Sequence, residues 1–403
     1  MRLDSEFCDE GKGFFSVKEM LFDEKVRKAL SDNEYSNTNQ EVAEYTSKDR
    51  ETILEWYEFK ESGHLLELGG AYGALTGLFL RKCEKVTTVE NKGNQCEIIR
   101  KRWQNYEGRL EVVHQNPVLF ETDEKYDYIV IHEIWGFIKK LNKTENAYEV
   151  FLRQLNGMLK PQGHILIVTD NRIGLKYFSG ALDEYTKKLF IGVDGYKNYT
   201  YVRTFSLSEI QALIEQCDLN VAKVYYTVSD WHFADRLYTK QIMNSIHLST
   251  NVVTSYAHFS FFDLSRTYMS LQENGVADVF ADSFILDISE NENDSLIYFE
   301  APRDEKEGYG VFKNDNSFVK KRYLRKTGFE MRAENIDLDW YESVNDDKLT
   351  TDGKKFLFPY IDEADIMTHG YHESAEDKTD NQLVEEQKMI DQFIREVFEN
   401  ADA

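Results

Sequence analysis

The residues best placed to hold a ligand form one stretch, HLLELGGAYGALTG, from His64 to Gly77. Its apolar first half predicts a buried strand, and its last residues predict the start of a helix. A glycine turn between a strand and a helix leaves backbone N–H groups free, so a nucleotide-like ligand can lie against it. The candidate contacts in this stretch are Glu67, Gly69, Gly70, Ala71 and Gly73.

A second acidic residue follows the turn after one further helix and strand. Glu90 ends the segment VTTVE, where a carboxylate can accept hydrogen bonds from both hydroxyls of a ribose. Asn91 follows it as another candidate contact. A nicotinamide fingerprint, G-x-G-x-x-G, fits less well, because alignment on Gly69 puts Ala71 and Ala74 at the other two glycine positions.

Ionisable side chains leave the ends of two later predicted strands. His132 and Glu133 follow the strand 128–131, and Asp170 ends the strand 164–171. The carboxyl ends of parallel strands lie at one edge of a sheet, where ligands bind. His132 is the preferred general base because an imidazole titrates near neutral pH, with Glu133 second and Asp170 third. The alternative for His132 is simple packing or hydrogen bonding below the cofactor.

Further polar residues are candidates for ligand contacts at the same edge. Asn116, after the third strand, is a candidate ligand contact, or else a turn residue before Pro117. Arg172 and Lys176 are suited to an anionic acceptor, such as a uronic acid or a nucleotide-sugar phosphate. Their structural alternative is a salt bridge to Asp183 or Glu184. Asn171 and Tyr177 complete the candidate acceptor contacts.

The order of predicted elements indicates the fold class. Strands and helices alternate over about 110 residues, which predicts α/β architecture with a doubly wound parallel sheet. The helix in SKDRETILEWYEF, capped by Ser47, precedes the first strand, and a capping box from Ser206 to Glu209 starts a later helix. NVAKVYYTV and DSFILDI are expected as sixth and seventh strands, the seventh antiparallel.

The same pattern divides the chain into three predicted parts. Residues 1–46 form a helical or flexible N-terminal segment, and residues 47–290 form the α/β domain. Within that domain, residues 229–281 are an aromatic-rich insertion, expected to act as a substrate lid or an interface. Residues 291–403 are expected to form an α+β accessory domain of short strands, an acidic loop and a terminal amphipathic helix.

Composition argues against several classes of partner. The 403 residues include 48 Lys and Arg and 72 Asp and Glu, a net charge of −24. A chain this acidic is repelled by nucleic acids and by anionic membrane surfaces. The four cysteines lack zinc-ligand spacing, so no metal is expected, and buried reduced thiols are predicted. No apolar leader and no membrane span are recognised, which favours the cytoplasm.

With these motifs in view, residues 45–290 resemble class I S-adenosylmethionine-dependent methyltransferases. ELGGAYG matches their acidic residue, spacer and glycine turn, and NRIGLKYFSG, at residues 171–180, resembles a segment of a bacterial group associated with capsule and other surface polysaccharides. The resemblance implies a Rossmann-like seven-stranded sheet and S-adenosyl-L-methionine as cofactor. Such methyltransferases often place a polar residue after the third strand to bind the adenine amino group, which makes Asn116 the candidate for that contact. It further implies O-methylation of a sugar or glycan-related small molecule, with a homo-oligomer or a glycosyltransferase as the protein partner.

Three alternatives remain open. The acceptor atom can be the nitrogen of an amino sugar or another small molecule, since an amine needs only to be neutral when it attacks. A catalytically inactive methyltransferase fold could serve as a scaffold or binding subunit, although Glu67, Gly69, Gly73 and Glu90 are all intact. A nicotinamide-dependent sugar oxidoreductase or epimerase lacks the second and third glycines of its fingerprint.

Overall fold

A computed structural model describes the chain over residues 17–32, 40–197, 201–228, 230–244, 260–290, 296–301, 308–314, 317–323 and 332–336. The strands are β1 (His64–Leu68), β2 (Lys85–Glu90), β3 (Leu110–His114), β4 (Tyr126–Ile131), β5 (Leu159–Asp170), β6 (Val221–Thr227), β7 (Arg236–Tyr238), β8 (Ser283–Ile288), β9 (Leu296–Glu300), β10 (Gly308–Asn314), β11 (Ser317–Tyr323) and β12 (Arg332–Ile336). The helices are α1 (Val17–Asp32), α2 (Gln40–Thr46), α3 (Thr52–Glu55), α4 (Thr76–Lys82), α5 (Gly93–Arg102), α6 (Ile138–Asn142), α7 (Ala147–Met158), α8 (Leu175–Phe178), α9 (Leu207–Gln216), α10 (Lys240–Met243) and α11 (Leu264–Glu273).

These strands form a mixed sheet in the order β12-β11-β10-β9-β7-β6-β8-β5-β4-β1-β2-β3. The five strands β3-β2-β1-β4-β5 are parallel. Strand β8 lies antiparallel between β5 and β6. The structure therefore confirms the doubly wound parallel sheet and the antiparallel seventh strand that the sequence predicts.

Both faces of the sheet are covered, because successive side chains of a strand point to opposite faces. In β1, Leu65 belongs to the apolar core that includes Trp56 and Phe79, on the α3 and α4 side. Its neighbour Leu66 belongs to the other core, with Phe151 of α7. The parallel strands are consequently apolar on both faces, as expected for strands buried between two helix layers.

The sheet is longer than the seven strands predicted. The short strand β7 pairs with β6 at Tyr226 and with β9 at residues 236–238, so hydrogen bonding continues from the parallel strands into β9–β12. Strand β7 comes from the segment expected as an insertion, which also contributes α10 and α11. The predicted strand KKFLFPYI, the acidic loop and the terminal helix lie outside the described residues, as do residues 245–259.

The helix predicted in SKDRETILEWYEF is divided into two short helices. Ser47 caps the first turn by accepting from the Asp49 N–H, as expected, but a 3₁₀ turn (Lys48–Glu51) precedes α3. The hydroxyl of Thr52 lies 2.7 Å from the Asp49 carbonyl and 2.6 Å from that of Ala234. A side chain that hydrogen-bonds a nearby carbonyl competes with regular helix, and here it also ties the turn to the loop after β6.

Two smaller expectations are also met within the described residues. The capping box between Ser206 and Glu209 is present at the start of α9. Cys83, Cys96 and Cys217 are buried and unbridged, while Cys8 lies outside the described residues. None of the helices described combines the length and apolar character needed to cross a membrane.

Candidate cofactor and acceptor site

The glycine turn after β1 uses a backbone conformation that most residues avoid. Gly69 and Gly73 have φ of 85° and 77°, and Ala71 and Tyr72 between them also have positive φ, 41° and 62°. For residues other than glycine, left-handed backbone costs about 1–2 kcal/mol. A Cβ on Gly70 would lie 2.3 Å from Thr88 Cγ2, so the turn packs directly against β2. Such strain is typical of a functional loop.

Glu67 lies beneath this turn and contacts side chains from several elements. Its buried Oε2 accepts hydrogen bonds from the hydroxyls of Thr76 on α4, at 2.6 Å, and Thr88 on β2, at 2.7 Å. Its Oε1 lies 3.2 Å from Nε2 of His132. Glu67 thus joins the start of α4, the middle of the sheet and the residue that leaves β4. These contacts were not foreseen for a residue predicted as a cofactor ligand.

Glu90 ends β2 beside the glycine turn, as the sequence predicts. Its Oε2 accepts from the Ala71 N–H at 3.3 Å, and its Oε1 accepts from the Asn91 N–H at 2.8 Å. Burial raises the pKa of Glu90, although the hydrogen bonds from Lys92, Asn91 and Ala71 oppose that shift. The Lys92 N–H donates to Oε1 at 3.2 Å, and the amide nitrogen of Gln95, in the orientation that satisfies both ends of the amide, donates to the same oxygen at 3.0 Å. These donors use most of the about four acceptor positions of a carboxylate, so the ribose contact of Glu90 remains a prediction.

The side chain of Asn116 is used inside the protein. Its Oδ1 accepts from the Val118 N–H at 3.0 Å, and its Nδ2 donates to the Leu141 carbonyl at 3.1 Å. These are the contacts of a turn residue, which was the structural alternative for this position. The contact of Asn116 with adenine remains a prediction.

His132 leaves β4 and points toward Glu67, as described above. Its other ring nitrogen, Nδ1, lies 3.7 Å from Oε1 of Glu133 and has no hydrogen-bond partner among the described residues. Burial alone would lower the pKa of His132, but the carboxylates of Glu133 and Glu67 outweigh it and raise that pKa. The ends of β1 and β4 therefore bring Glu67, His132 and Glu133 together, at the edge of the sheet where His132 and Glu133 were expected. Their catalytic roles remain predictions.

Arg50 completes this group and was missed in the sequence. Its side chain is fully buried, its Nη2 donates to Oε1 of Glu133, and its guanidinium lies 3.9 Å from the ring centre of Trp231. Burial would raise the pKa of Glu133, but Arg50 and His132 lower it to about 2. A signal was present, since Arg50 lies three, four and seven residues before the buried residues 53, 54 and 57.

Asp170 lies at the end of β5 in a separate cluster of hydrogen-bonded side chains. Its carboxylate accepts from Lys176 Nζ at 2.9 Å, Tyr177 OH at 3.0 Å and Ser283 Oγ at 2.6 Å. Burial opposes the charge of Lys176, but the carboxylates of Asp170 and Asp230 hold its pKa above the usual value. The observed partner of Lys176 is thus Asp170, rather than the two acidic residues considered from the sequence.

Asn171 and Arg172 are likewise bonded within the protein. Asn171 Nδ2 donates to the carbonyls of Val279 and Ala281, which fixes the segment before β8. Arg172 Nε donates to Oε2 of Glu209 at 2.6 Å, next to the capping box of α9. A role of these side chains in acceptor binding remains a prediction.

A loop after α8 supplies another ionisable group near the site. Burial raises the pKa of Glu184 to about 7, while the positive charge of His232 opposes the shift. The next residue, Tyr185, packs on the loop after β4, because a Cβ on Gly136 would lie 2.4 Å from its ring. Glu184 and Glu133 both raise the pKa of Tyr185, so the two carboxylates face the same region.

A known protein family matches part of the chain. Residues 24–175, under half of the chain, match the family model described as Nodulation protein S (NodS). A search of curated proteins found no match.

Solved structures similar to this chain include two of one methyltransferase and one of another. N-methyltransferase NodS from Bradyrhizobium japonicum WM9 has 12% identity and a TM-score of 0.33, covering 68% of this chain and 97% of that one. Its complex with S-adenosyl-L-homocysteine has 18% identity and a TM-score of 0.28, covering 38% and 74%. A TehB-like SAM-dependent methyltransferase from Corynebacterium glutamicum has 9% identity and a TM-score of 0.36, covering 68% and 100%.

The residues present fit S-adenosylmethionine: a glycine turn beside a carboxylate at the end of β2, and a polar group at the ends of β1 and β4. The sheet order, with its antiparallel strand between β5 and β6, is the one expected for this class. Together with the family-model match over residues 24–175, these features are those expected of a class I S-adenosylmethionine-dependent methyltransferase.

Proposed function

We propose that this methyltransferase O-methylates a hydroxyl of a sugar or a glycan-related small molecule during synthesis of a surface polysaccharide. The observation that supports this best is the buried pair of Glu67 and His132, with Nε2 of the imidazole 3.2 Å from the carboxylate. The polysaccharide role is supported by the resemblance of NRIGLKYFSG alone. The proposal includes a cytoplasmic location, with a homo-oligomer or a glycosyltransferase as protein partner.

In this proposal, the pair determines which ring nitrogen of His132 acts as the base. A carboxylate beside Nε2 favours the tautomer in which Nε2 carries the proton and Nδ1 carries the lone pair. That Nδ1 has no hydrogen-bond partner among the described residues. It is therefore the nitrogen that accepts the proton of an acceptor hydroxyl.

S-adenosylmethionine supplies the methyl group on a positively charged sulfur. Held by the glycine turn and Glu90, the cofactor would give its methyl group to the acceptor oxygen as the sulfur–carbon bond breaks, and His132 would take up the hydroxyl proton. Alignment of the two reactants can supply ~7–11 kcal/mol of the barrier. A positioned base adds about 10²–10⁴-fold.

The first test combines cofactor binding with an acceptor screen. Calorimetric titration of the wild type with S-adenosylhomocysteine is expected to show binding, and Glu90→Ala is expected to lose most of it. Nucleotide sugars and glycans are then screened for methyl transfer by mass spectrometry. His132→Asn is expected to keep S-adenosylhomocysteine binding and to lose about 10²–10⁴-fold in rate on the hydroxyl acceptor. An unchanged rate would overturn the assignment of His132 as the base.

The second candidate function is N-methylation of an amino sugar or another small amine. It is supported by the match of residues 24–175 to the NodS model, because the solved NodS is described as an N-methyltransferase. An amine that is already neutral needs no base in the transfer step. His132→Asn would then keep most of the activity, and the rate would follow the pKa of the amine itself.

A further inference from the structure

The turn after α8 holds one carboxylate in a fixed position. Asp183 is buried, and its Oδ1 accepts hydrogen bonds from the Thr186 N–H at 2.8 Å and from the Thr186 hydroxyl at 2.7 Å. The Lys187 N–H donates to the Asp183 carbonyl at 2.9 Å, which closes the turn. Glu184 and Tyr185 lie in the middle of this turn, and both are partly exposed. The turn therefore fixes Glu184 where solvent still reaches it.

The carboxylate of Glu184 has no partner of its own among the described residues, with which it forms neither a hydrogen bond nor a salt bridge. Burial raises its pKa to about 7; His232 and Lys187 oppose the shift, and Asp170 and Asp230 add to it. The folded protein thus favours the neutral form, and ionised Glu184 lowers its stability as the pH rises from about 4.5 toward 7. A partly exposed group with such a shift is a candidate for ligand binding.

Glu184 lies beside the loop that follows β4. The ring of its neighbour Tyr185 packs on Gly136, where an added Cβ would lie 2.4 Å from that ring. The same ring lies 4.8 Å from the ring of Phe137, centre to centre. Gly136 follows Glu133 by three residues, so the turn packs on the loop that begins with the proposed base.

Two partly exposed tyrosines lie near both Glu184 and Glu133. Burial raises the pKa of Tyr45, and the two carboxylates raise it further, while Arg50 opposes them. Both carboxylates also raise the pKa of Tyr185. Aromatic rings attract cations to their faces, and a carboxylate attracts them more strongly. The groups that a ligand can reach here therefore suit a positive charge.

Four cationic side chains around this space are already paired with carboxylates. The pairs are Arg172 with Glu209 at 2.6 Å, Lys176 with Asp170 at 2.9 Å, His232 with Asp230 at 2.6 Å, and Arg50 with Glu133. Arg50 keeps unused donors at Nε and Nη1, but its side chain is fully buried. An anionic acceptor would thus meet an exposed carboxylate at Glu184, whereas a cationic acceptor would pair with it.

We propose that Glu184 binds an ammonium group of the acceptor, which is an amino sugar with an unacylated amine that is methylated on a neighbouring hydroxyl. Glu184 accepts hydrogen bonds from the ammonium group, and the proton of the reacting hydroxyl passes to His132. Glu184 therefore determines specificity and is not the base. This proposal rests on the O-methylation proposed above. It differs from N-methylation, in which the amine itself receives the methyl group.

The experiment compares three sugars that differ in charge. Glucosamine carries an ammonium group, glucose is neutral, and glucuronic acid carries a carboxylate. Each is titrated by calorimetry at pH 7 into protein saturated with S-adenosylhomocysteine, for the wild type, Glu184→Gln, Glu184→Asp and the control Asp194→Asn. Asp194 is a suitable control because it is an exposed carboxylate on the same connection between α8 and α9. Methyl transfer from S-adenosylmethionine to glucosamine is followed by NMR of the product.

The wild type is expected to bind glucosamine roughly tenfold more tightly than glucose, the size expected for a hydrogen bond to a charged group. Glucuronic acid is expected to bind more weakly than glucose. Glu184→Gln is expected to lose the preference for glucosamine, with binding of glucose and of S-adenosylhomocysteine within about twofold of the wild type, which also shows that the site is folded. Glu184→Asp is expected to lie between, because its carboxylate is on a shorter side chain. Asp194→Asn is expected to match the wild type, and the methyl group is expected on oxygen.

The outcomes that oppose the proposal are distinct. Equal affinity of the wild type for glucosamine and glucose, or binding of neither sugar, would overturn it. A preference for glucuronic acid, or a preference for glucosamine that persists in Glu184→Gln, would do the same. Methylation of the glucosamine nitrogen would show that the amine is the reacting group, which also contradicts the proposal. If the wild type does not bind S-adenosylhomocysteine, the proposed function itself fails.

Discussion

The hydrogen bond between Glu67 and His132 gives the site a defined dependence on pH. A base must be neutral, so kcat/KM on a hydroxyl acceptor is expected to rise as the pH increases through the raised pKa of His132. Glu67→Gln removes one of the charges that raise this pKa. The rising limb is therefore expected to move to lower pH, together with a lower maximal rate because the imidazole is less well held.

This prediction is checked by pH–rate profiles of the wild type, Glu67→Gln and a control. Glu111→Gln is the control, because Glu111 is a half-exposed carboxylate on β3 that pairs with Lys85. Its profile is expected to coincide with that of the wild type. If kcat/KM of Glu67→Gln rises at the same pH as that of the wild type, the group that titrates in the profile is not His132.

His232 links pH to stability rather than to catalysis. Burial would lower its pKa, but Asp230, whose Oδ1 lies 2.6 Å from Nδ1, raises the pKa from 6.5 to about 9. The folded state therefore holds this proton more tightly than the unfolded state. The resulting stabilisation is complete below about pH 6.5 and is lost as the pH rises through about 9, by at most roughly 3 kcal/mol at ~1.4 kcal/mol per pKa unit.

Urea unfolding at several pH values tests this linkage. The free energy of unfolding of the wild type is expected to fall between pH 6.5 and 9 more steeply than that of His232→Gln. His114→Gln, which changes an exposed histidine, is the control and is expected to keep the wild-type slope. Parallel curves for the wild type and His232→Gln would contradict the assignment.

The order of the residues in the sequence predicted which side chains lie at the carboxyl edge of the sheet. It did not predict their hydrogen-bond partners. Glu67, Glu90, His132 and Glu133 could be placed because each ends or follows a parallel strand. Asp170 also ends such a strand, but Lys176, Tyr177 and Ser283 occupy its carboxylate. Ser283 lies more than a hundred residues away, and no local pattern reveals that contact.

Helix α4 packs closely on Trp103 because residue 77 is a glycine, which has no side chain. A Cβ on Gly77 would lie 2.1 Å from the ring of Trp103, which follows α5. Gly77→Ala is expected to destabilise the protein by about 1–2 kcal/mol, because the overpacking cost of about 1–3 kcal/mol exceeds the gain in helix propensity. Chemical denaturation of the purified variant measures this change.

Gly157 on α7 is the matched control for that substitution. A Cβ there meets no atom within 4 Å among the described residues. Gly157→Ala is therefore expected to stabilise the protein by about 0.5–1 kcal/mol, the usual difference between glycine and alanine in a helix. If both variants shift the free energy of unfolding in the same direction, this result would contradict the close packing of α4 on Trp103.

The first helix of the α/β segment shows what helical spacing alone does not predict. The apolar stripe through Ile53, Leu54 and Tyr57 was recognised, and all three residues are buried. The break at Thr52 was not, because it depends on the carbonyl of Ala234, which lies far along the chain. That break matters for the site, since the 3₁₀ turn before it carries Arg50.

Over the part of the chain that the structure describes, one sheet joins the parallel strands β1–β5 to the later strands β9–β12. Phe299 of β9 is fully buried in the same apolar core as Trp56 and Tyr225. Phe299→Ala is expected to cost about 3–5 kcal/mol and to lower the stability of the entire sheet in one transition. Tryptophan fluorescence and far-UV circular dichroism are expected to give coincident urea curves.

Phe261→Ala is the control for this experiment, because the side chain of Phe261 is 46% exposed. It is expected to change the free energy of unfolding by less than about 1 kcal/mol. Two separated transitions in Phe299→Ala, with tryptophan fluorescence unaffected in the first, would contradict a shared core.

The sequence predicted those parts of the fold that have a clear local pattern of strands and helices. Alternation of strands and helices gives the parallel strands, and DSFILDI gives the antiparallel one. The link through β7 could not be predicted, because Arg236–Tyr238 is only three residues long and carries no alternating pattern of its own. Its place in the sheet is set by its partners on both sides, Tyr226 and residues 298–300.

The position of β7 has a practical consequence for shortening the gene. A protein ended after residue 290 would lack β9, and the backbone N–H and C=O groups of β7 would lose their outer partner along residues 236–238. An uncovered strand edge beside an apolar core favours association with other chains. Forms that end at residue 290 are therefore expected to aggregate more during expression than forms that keep the segment through residue 336, which returns β9 and the strands that pair beyond it.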